Sequence, residues 1–307
     1  MKKYFISFGN GIFKNQLDRI CSEAKETGWF DDVIASTPSK IKDFIDKHKD
    51  FINNNPRGFG YWIWKPYILL NQLMYMDNGD YLFYTDAGSR ILPHRKDKLN
   101  EYLHKLHKQP ILINGEGNAE GDGGGGYTQQ KFVKLSLLKE FNLENNKKFL
   151  NSSHSESGMI AIRKCKESID IIKLWLELIT KNNYLFTNDD LGNDKQLDGF
   201  IEHRHDQSIL NILFYLNNYK ALWFEECYGV GPFFSGRQTD DGYREFCADW
   251  FRAEPDYIDN AIHGQLEDYL RTKPNKEWYK GQKDYNPNTM FSEWDYLEYR
   301  KKIQLNL

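Results

Sequence analysis

Apolar positions in the amino-terminal third of the chain switch between two periods. Residues 3–8 (KYFISF) form a short apolar run, Asn15 to Glu26 repeats its apolar residues at helical spacing, and residues 32–36 (DVIAS) return to a strand-like run. Gly, Asp and Ser punctuate the joints. This βαβ opening predicts a parallel sheet with ligands at the carboxyl ends of its strands. A helix is expected over 40–52. The Trp- and Tyr-rich stretch 58–77 runs into another helix from Pro66 to Met76, with proline near its first turn. The clearest strand is Asp80 to Thr85 (DYLFYT), which follows the turn Asp77-Asn78-Gly79 and stops at Asp86-Ala87-Gly88. So continuous an apolar-aromatic run marks a central strand.

Residues 110–114 (PILIN) predict a further strand, and residues 115–126 (GEGNAEGDGGGG) a glycine-dense surface loop or moving lid. Residues 168–180 read as a helix apolar on most faces, hence buried. Another helix begins near His205-Asp206 and carries Ile209, Leu210, Ile212, Leu213 and Leu216 at helical spacing. From about residue 230 the pattern is irregular, with no repeat and no linker. The expected architecture is one α/β domain, a Rossmann-type, mostly parallel sheet flanked by helices. Residues 1–220 form its core and 221–307 a carboxyl-terminal extension.

Composition narrows the function classes. With 40% hydrophobic and 15% aromatic residues in 307, the chain can bury a large core and line a cleft with flat aromatic faces that suit sugar rings. A net charge of −3 leaves no basic excess, which argues against a nucleic-acid partner. Cys21, Cys165, Cys227 and Cys247 form no CxxC pair, so reduced thiols in a cytosolic setting are expected. Gly9 and Gly11 interrupt the amino-terminal apolar stretch too early for a signal-peptide core, and no run approaches the roughly 18 apolar residues of a membrane span. A cytosolic or membrane-peripheral protein without a transmembrane segment is the expectation.

Three clusters carry candidate chemistry. Asp86 stands just past the central strand, where a rigid carboxylate can meet a ligand or a hard divalent cation, although Asp-x-Gly also simply closes turns. The polar run Glu202 to Ser208 (EHRHDQS) opens an apolar helix, where backbone N–H groups favour anions; an Asp206 that only caps the helix is the bland alternative. In Arg57 to Pro66 (RGFGYWIWKP), Arg57 and Lys65 can bind phosphates, whereas Trp62 and Trp64 are as easily core anchors. His263 is a fainter candidate for a late metal-ligating imidazole.

Taken in order, GFGYWIWKP (58–66), GDYLFYTDAG (79–88) and HRHDQSI (203–209) resemble a family of glycosyltransferases found in capsular and surface polysaccharide gene sets and in some large viruses. The resemblance covers roughly residues 1–220. It implies a GT-A fold, a UDP- or GDP-sugar donor, a glycan or lipid-linked acceptor, and Mn²⁺ or Mg²⁺. It assigns Asp86 to a reduced DxD motif, with Gly88 where a second carboxylate would stand and His263 available to complete a metal site. Asp206 and Gln207 become the acidic-amide pair near the transferred hexose, as in retaining enzymes. Together with the residue reading, this makes Arg57, Trp64, Lys65, Tyr84, Asp86, Gly88, His203 and His205 the expected nucleotide-sugar contacts. A non-catalytic carbohydrate-binding protein and a sugar-nucleotide hydrolase are the competing functions.

Overall fold

Strands in the computed structural model, which describes residues 1–115, 127–222, 224–227 and 230–235, are β1 (Lys3–Phe8), β2 (Asp32–Ser36), β3 (Tyr81–Thr85), β4 (Arg90–Ile91), β5 (Ile111–Asn114), β6 (Glu156–Arg163) and β7 (Phe233–Phe234). Five of them form the central sheet in the order β2-β1-β3-β6-β5, and β4 pairs with β7 in a small ribbon. β1 is parallel to β2 and β3, while β6 runs antiparallel between β3 and β5. Four strands therefore share one direction and β6 opposes them, which gives the mostly parallel α/β sheet the sequence predicts.

Alternation along the strands divides the core into two layers. Leu82 and Tyr84 join Ile160, Ile162 and the apolar faces of helices Trp64–Tyr75, Lys166–Tyr184 and His205–Leu216. Tyr81 and Phe83 join Met159, Ala161 and helices Lys14–Glu26 and Lys96–Lys105 on the other side. Tyr81 to Thr85 is buried at every position, as its unbroken apolar run requires.

Some expectations shift in detail. The helix expected over 40–52 breaks at His48 into Lys42–Lys47 and Lys49–Asn54. His48 turns inward there, against the Phe44 ring and 2.7 Å from the Tyr184 hydroxyl. The helix expected over 168–180 spans Lys166–Tyr184, with non-helical backbone at Lys181, Asn182 and Asn183, and is less uniformly buried than its sequence suggests, since Leu174 is 40% exposed. β6 has no counterpart among the expected elements. Its first residues, and the His154-Ser155 pair before them, are polar yet buried. Most of the glycine-dense loop and everything beyond Ser235, His263 included, lie outside the described residues. Among the described residues no helix is long and apolar enough to cross a membrane.

Candidate active site

Because β6 is reversed, its amino end meets the carboxyl ends of β1 and β3 at one edge of the sheet. Thr85 pairs with Met159, and one residue on, the Asp86 amide donates to the Gly158 carbonyl at 2.8 Å. The amino ends of helices Trp64–Tyr75 and His205–Leu216 reach the same edge. A cleft of about 420 Å³ opens there, lined among others by Asp86, Lys65, Asp206, Glu156 and Ser157. This is where a doubly wound sheet binds ligands.

Asp86 does belong to a turn, since its carbonyl accepts from the Ser89 amide at 2.9 Å, but its carboxylate faces the cleft. Arg19 braces the turn by donating to the carbonyls of Ala87 and Ser89 at 2.8 Å each, and Glu23 holds both Arg19 and Arg90 at 2.7 Å. Tyr84 donates its hydroxyl to Asp86 Oδ1 at 2.5 Å. Gly158 lies close against the carboxylates: a Cβ there would stand 3.3 Å from Asp86 Oδ2, which would have to give by a few tenths of an ångström, and 3.9 Å from Glu156 Oε2.

Lys65, expected to bind phosphates, lines the cleft from a buried position. Its ammonium is buried, 3.2 Å from Asp206 Oδ2 and 3.4 Å from Asp86 Oδ1. It also donates to the Ser157 carbonyl at 3.1 Å and lies near that residue's hydroxyl. Ser157 in turn donates to Asp206 Oδ2 at 2.9 Å, and Trp175 donates its indole N–H to the Asp206 carbonyl at 3.0 Å. Burial pulls the Lys65 ammonium down, but Asp206 and Asp86 outweigh it and hold its pKa above the ordinary lysine value. Burial pushes the Asp206 carboxyl up, against the opposing pull of Lys65 and Ser157. The Tyr84 hydroxyl is driven well above its usual value by burial and by the Asp86 charge. The outcome is an ion triad, Asp86-Lys65-Asp206, with Asp86 reaching solvent and Asp206 sealed.

The segment that delivers Lys65 is conformationally costly. Gly58, Phe59, Gly60, Tyr61 and Trp62 all have positive φ, a single left-handed turn closed by Tyr61 N–H to Arg57 C=O at 2.9 Å and Trp62 N–H to Gly58 C=O at 3.1 Å. Non-glycine residues in this region cost about 1–2 kcal/mol each and persist only where packing imposes them. Trp64 supplies some of that packing: it is buried, donates Nε1–H to the Gly58 carbonyl at 3.0 Å and stacks on Phe8 at 3.9 Å. It is thus a core anchor whose edge also lines the cleft, while Trp62 lines it half-buried.

The remaining expected residues divide. Arg57, Gly88, His205 and Gln207 line the cleft, whereas His203 is not among its lining residues. His203 is buried, with Nε2 donating to the Phe186 carbonyl at 2.9 Å and Nδ1 facing the Lys134 amide at 3.5 Å. Burial and the nearby Lys134 push its pKa well below the ordinary histidine value. It latches two loops together and presents nothing to a ligand. Arg57 is 3.7 Å from Glu202, which also pairs with Arg204 at 2.8 Å.

The residues that sequence reasoning missed are Glu156, Ser157 and Gly158. They sit where Asn211 staples the β6 approach to helix His205–Leu216: its side-chain amide exchanges hydrogen bonds with Ser155 N–H and C=O at 2.8 Å each, accepts from Gln129 at 2.9 Å and donates to the Gln207 carbonyl at 2.8 Å. The one available signal was the polar run His154 to Ser157 directly before the apolar strand Met159 to Ile162.

Among the described residues, no group of three or more His, Cys, Asp or Glu side chains converges to hold a metal ion. Asp86 nevertheless suits a cation shared with a ligand. Its carboxylate is 43% exposed in the cleft, with Oδ1 taken by Tyr84 and Lys65. The described lining also balances three carboxylates (Asp86, Glu156, Asp206) against three cations (Arg57, Lys65, Arg204), and Glu202 already pairs with both arginines. No surplus positive charge remains for a diphosphate.

No family model and no curated protein sequence matches the chain. Solved structures resemble it at a distance. Mouse xyloside xylosyltransferase 1 in its apo form is 11% identical, with a TM-score of 0.41 over 82% of this chain and 93% of the other. A glycosyltransferase involved in glycosylation of the major capsid of PBCV-1 is 10% identical, with a TM-score of 0.41 over 81% and 100%. The 4-diphosphocytidyl-2C-methyl-D-erythritol synthase of Anaerococcus prevotii is 11% identical, with a TM-score of 0.38 over 82% and 98%. Likenesses this remote leave the function to the chemistry of the cleft itself.

Proposed function

We propose that this protein is a glycosyltransferase that moves a hexose from a nucleotide-diphosphate sugar to a glycan or lipid-linked acceptor. The observation that carries the proposal is the Asp86-Lys65-Asp206 triad, built at the carboxyl edge of the sheet from a strand end and two helix starts. A binding protein has no need of a sealed carboxylate fixed by a buried ammonium. A transferase does, because positive charge develops at the anomeric carbon as the donor bond breaks, and a preorganised anion stabilises it. Asp206 is assigned that role, with the Gln207 amide beside it facing the sugar. The resemblance of the HRHDQS segment favours retention of configuration.

The donor diphosphate lies on the Asp86 side. The positive dipole ends of two helices reach the cleft, with Trp64, Lys65, His205 and Asp206 of their first turns in its lining, and Arg57 is partly exposed on its wall. These do not neutralise a diphosphate alone. A divalent Mn²⁺ or Mg²⁺ held by Asp86 and by the phosphate oxygens would supply the missing charge and stabilise the leaving group. Lys65 pairs with the Asp86 carboxylate and aims it, and Tyr84 fixes its rotamer. Calorimetric titration with UDP, GDP and CDP and their hexose conjugates, each with and without Mn²⁺, tests the proposal. Metal-dependent binding of one nucleotide, followed by transfer to a glycan acceptor, is the expected result. Sugar binding with no nucleotide affinity would replace it with a carbohydrate-binding function, and release of free hexose in the presence of acceptor with a hydrolase.

A further inference from the structure

Lys134 is buried as completely as Lys65 but lacks its partners. Two carboxylates hold Lys65, whereas no described carboxylate pairs with Lys134. Its ammonium donates instead to neutral oxygens of one loop, the Asn188 carbonyl at 2.8 Å, Asn188 Oδ1 at 2.9 Å and the Asp190 carbonyl at 3.2 Å. A buried charge without a counter-charge destabilises the state that buries it. Burial accordingly lowers the Lys134 pKa to about 8, against the pull of Asp190 and Asp189.

That loop is built to move as one piece. Residues 188–202 leave and rejoin the fold at a neck, where His203 Nε2 donates to the Phe186 carbonyl at 2.9 Å and His205 Nδ1 to the Thr187 carbonyl at 2.8 Å. This is the closed outline of an Ω-loop. Strained backbone flanks the neck, since Asn182, Asn183, Tyr184 and His205 all have positive φ. The loop lies on residues 130–139 along a polar seam: Leu135 N–H to Gln196 Oε1 at 2.7 Å, Ile201 N–H to the Lys131 carbonyl at 2.8 Å, and the Lys139–Asp194 ion pair at 2.6 Å. From the seam it reaches the cleft wall. Asp189, between the two residues that Lys134 holds, accepts from the Tyr61 hydroxyl at 2.5 Å, and Glu202 stands 3.7 Å from Arg57. Tyr61 belongs to the left-handed turn whose Gly58, Phe59 and Trp62 line the cleft.

We propose that residues 188–202 are a strap that swings off Lys134 and frees the Arg57–Trp62 wall of the cleft, and that the uncompensated ammonium keeps the strap ready to open. The inference concerns access to the cleft and is independent of what the cleft binds. Opening returns the ammonium to water and to its ordinary pKa of 10.5. The open strap thus binds the proton more tightly than the closed one, so protonation favours opening and rising pH tightens the strap. The other titratable groups around Lys134 are Asp189 and Asp190 on the strap and the imidazoles of His203 and His205. Burial holds His203 well below its ordinary value and His205 at about 4, so neither changes charge above neutrality. Tyr61, pushed up to about 12 by burial and by its bond to Asp189, keeps its proton to donate.

Hydrogen exchange on the full chain, read at single amides and corrected for the chemical rate, tests this at about pH 7 and about pH 9. Protection of the seam amides of Leu135 and Ile201 should rise about tenfold over that interval, with the turn amides of Tyr61 and Trp62 following. In Lys134→Met the seam should be protected at neutral pH at least as well as in wild type, and its pH dependence should vanish. Water can satisfy the oxygens that Met no longer reaches, because Asn188 and Asp190 extend to the surface. Wild-type seam protection that stays flat or falls as pH rises overturns the proposal, as does a Lys134→Met seam less protected than that of wild type. Turn amides that do not follow the seam overturn the link to the cleft. If Lys134→Met fails to fold, the wild-type series decides alone.

Discussion

Lys65→Met removes the cation on which the site is built, and its cost follows from the geometry. The ammonium is about 1% exposed and stands 3.2 and 3.4 Å from two carboxylates, of which Asp206 is sealed from water. Met preserves most of the volume, so little of the effect is a cavity. What remains is an uncompensated buried carboxylate, and breaking a buried pair from one side costs about 3–5 kcal/mol. The loss must also depend on pH. Burial already raises the Asp206 pKa, so the folded state binds its proton more readily than the unfolded chain does. A raised carboxyl pKa contributes stability that is full below the unfolded value and lost as pH rises through the folded one. Without Lys65 the folded value climbs further, and that window widens toward neutrality. Urea unfolding of both proteins across the mildly acid to neutral range is the assay. The variant should be less stable than wild type by about 3–5 kcal/mol at neutral pH and recover part of the deficit on acidification. A deficit below about 1 kcal/mol, or one that does not change with pH, would refute a charged triad at this position.

Other outcomes follow from the same geometry. Asp86→Asn should leave the fold intact and abolish the dependence of nucleotide affinity on Mn²⁺, read by calorimetry with and without the metal. Gly58→Ala places a Cβ 2.4 Å from the Trp62 ring at a φ of 59°, and should lower stability by about 1–3 kcal/mol, visible as a melting point several degrees lower. Asn211→Leu strands polar groups of Ser155 and Gln129 and should cost about 3 kcal/mol or more in chemical denaturation. His205, with a folded pKa of about 4, contributes stability that is full above its ordinary pKa of 6.5 and fades as pH falls from there toward 4. The His205→Asn protein should therefore show a shallower loss of stability across that window, by about 3 kcal/mol at most.

The sequence by itself determined most of the scaffold and one pole of the site. The short apolar run of β1, the aromatic run of β3 and the helical spacing from His205 to Leu216 are local patterns, and burial of an apolar stripe leaves such patterns little choice of element. Asp86 was legible because a carboxylate that ends a central strand has one place to go. Asp206 and Gln207 were legible as a polar start to an apolar helix. The tertiary structure alone decided what those residues do together. Lys65 reads as a surface phosphate ligand until the left-handed turn at 58–62 turns it inward between two carboxylates 20 and more residues away. β6 went unrecognised because its leading residues are polar, and their burial depends on partners such as Asn211, 55 and more positions along the chain. The histidines at 203 and 205 are alike in sequence. Only packing separates them: one has both ring nitrogens facing loop backbone, and the other keeps one nitrogen unsatisfied. Local patterns fix elements, because each residue's burial is set by its neighbours along the chain. Partners, charge states and unpaired atoms are set by contacts across it, and those exist only once the sheet has formed.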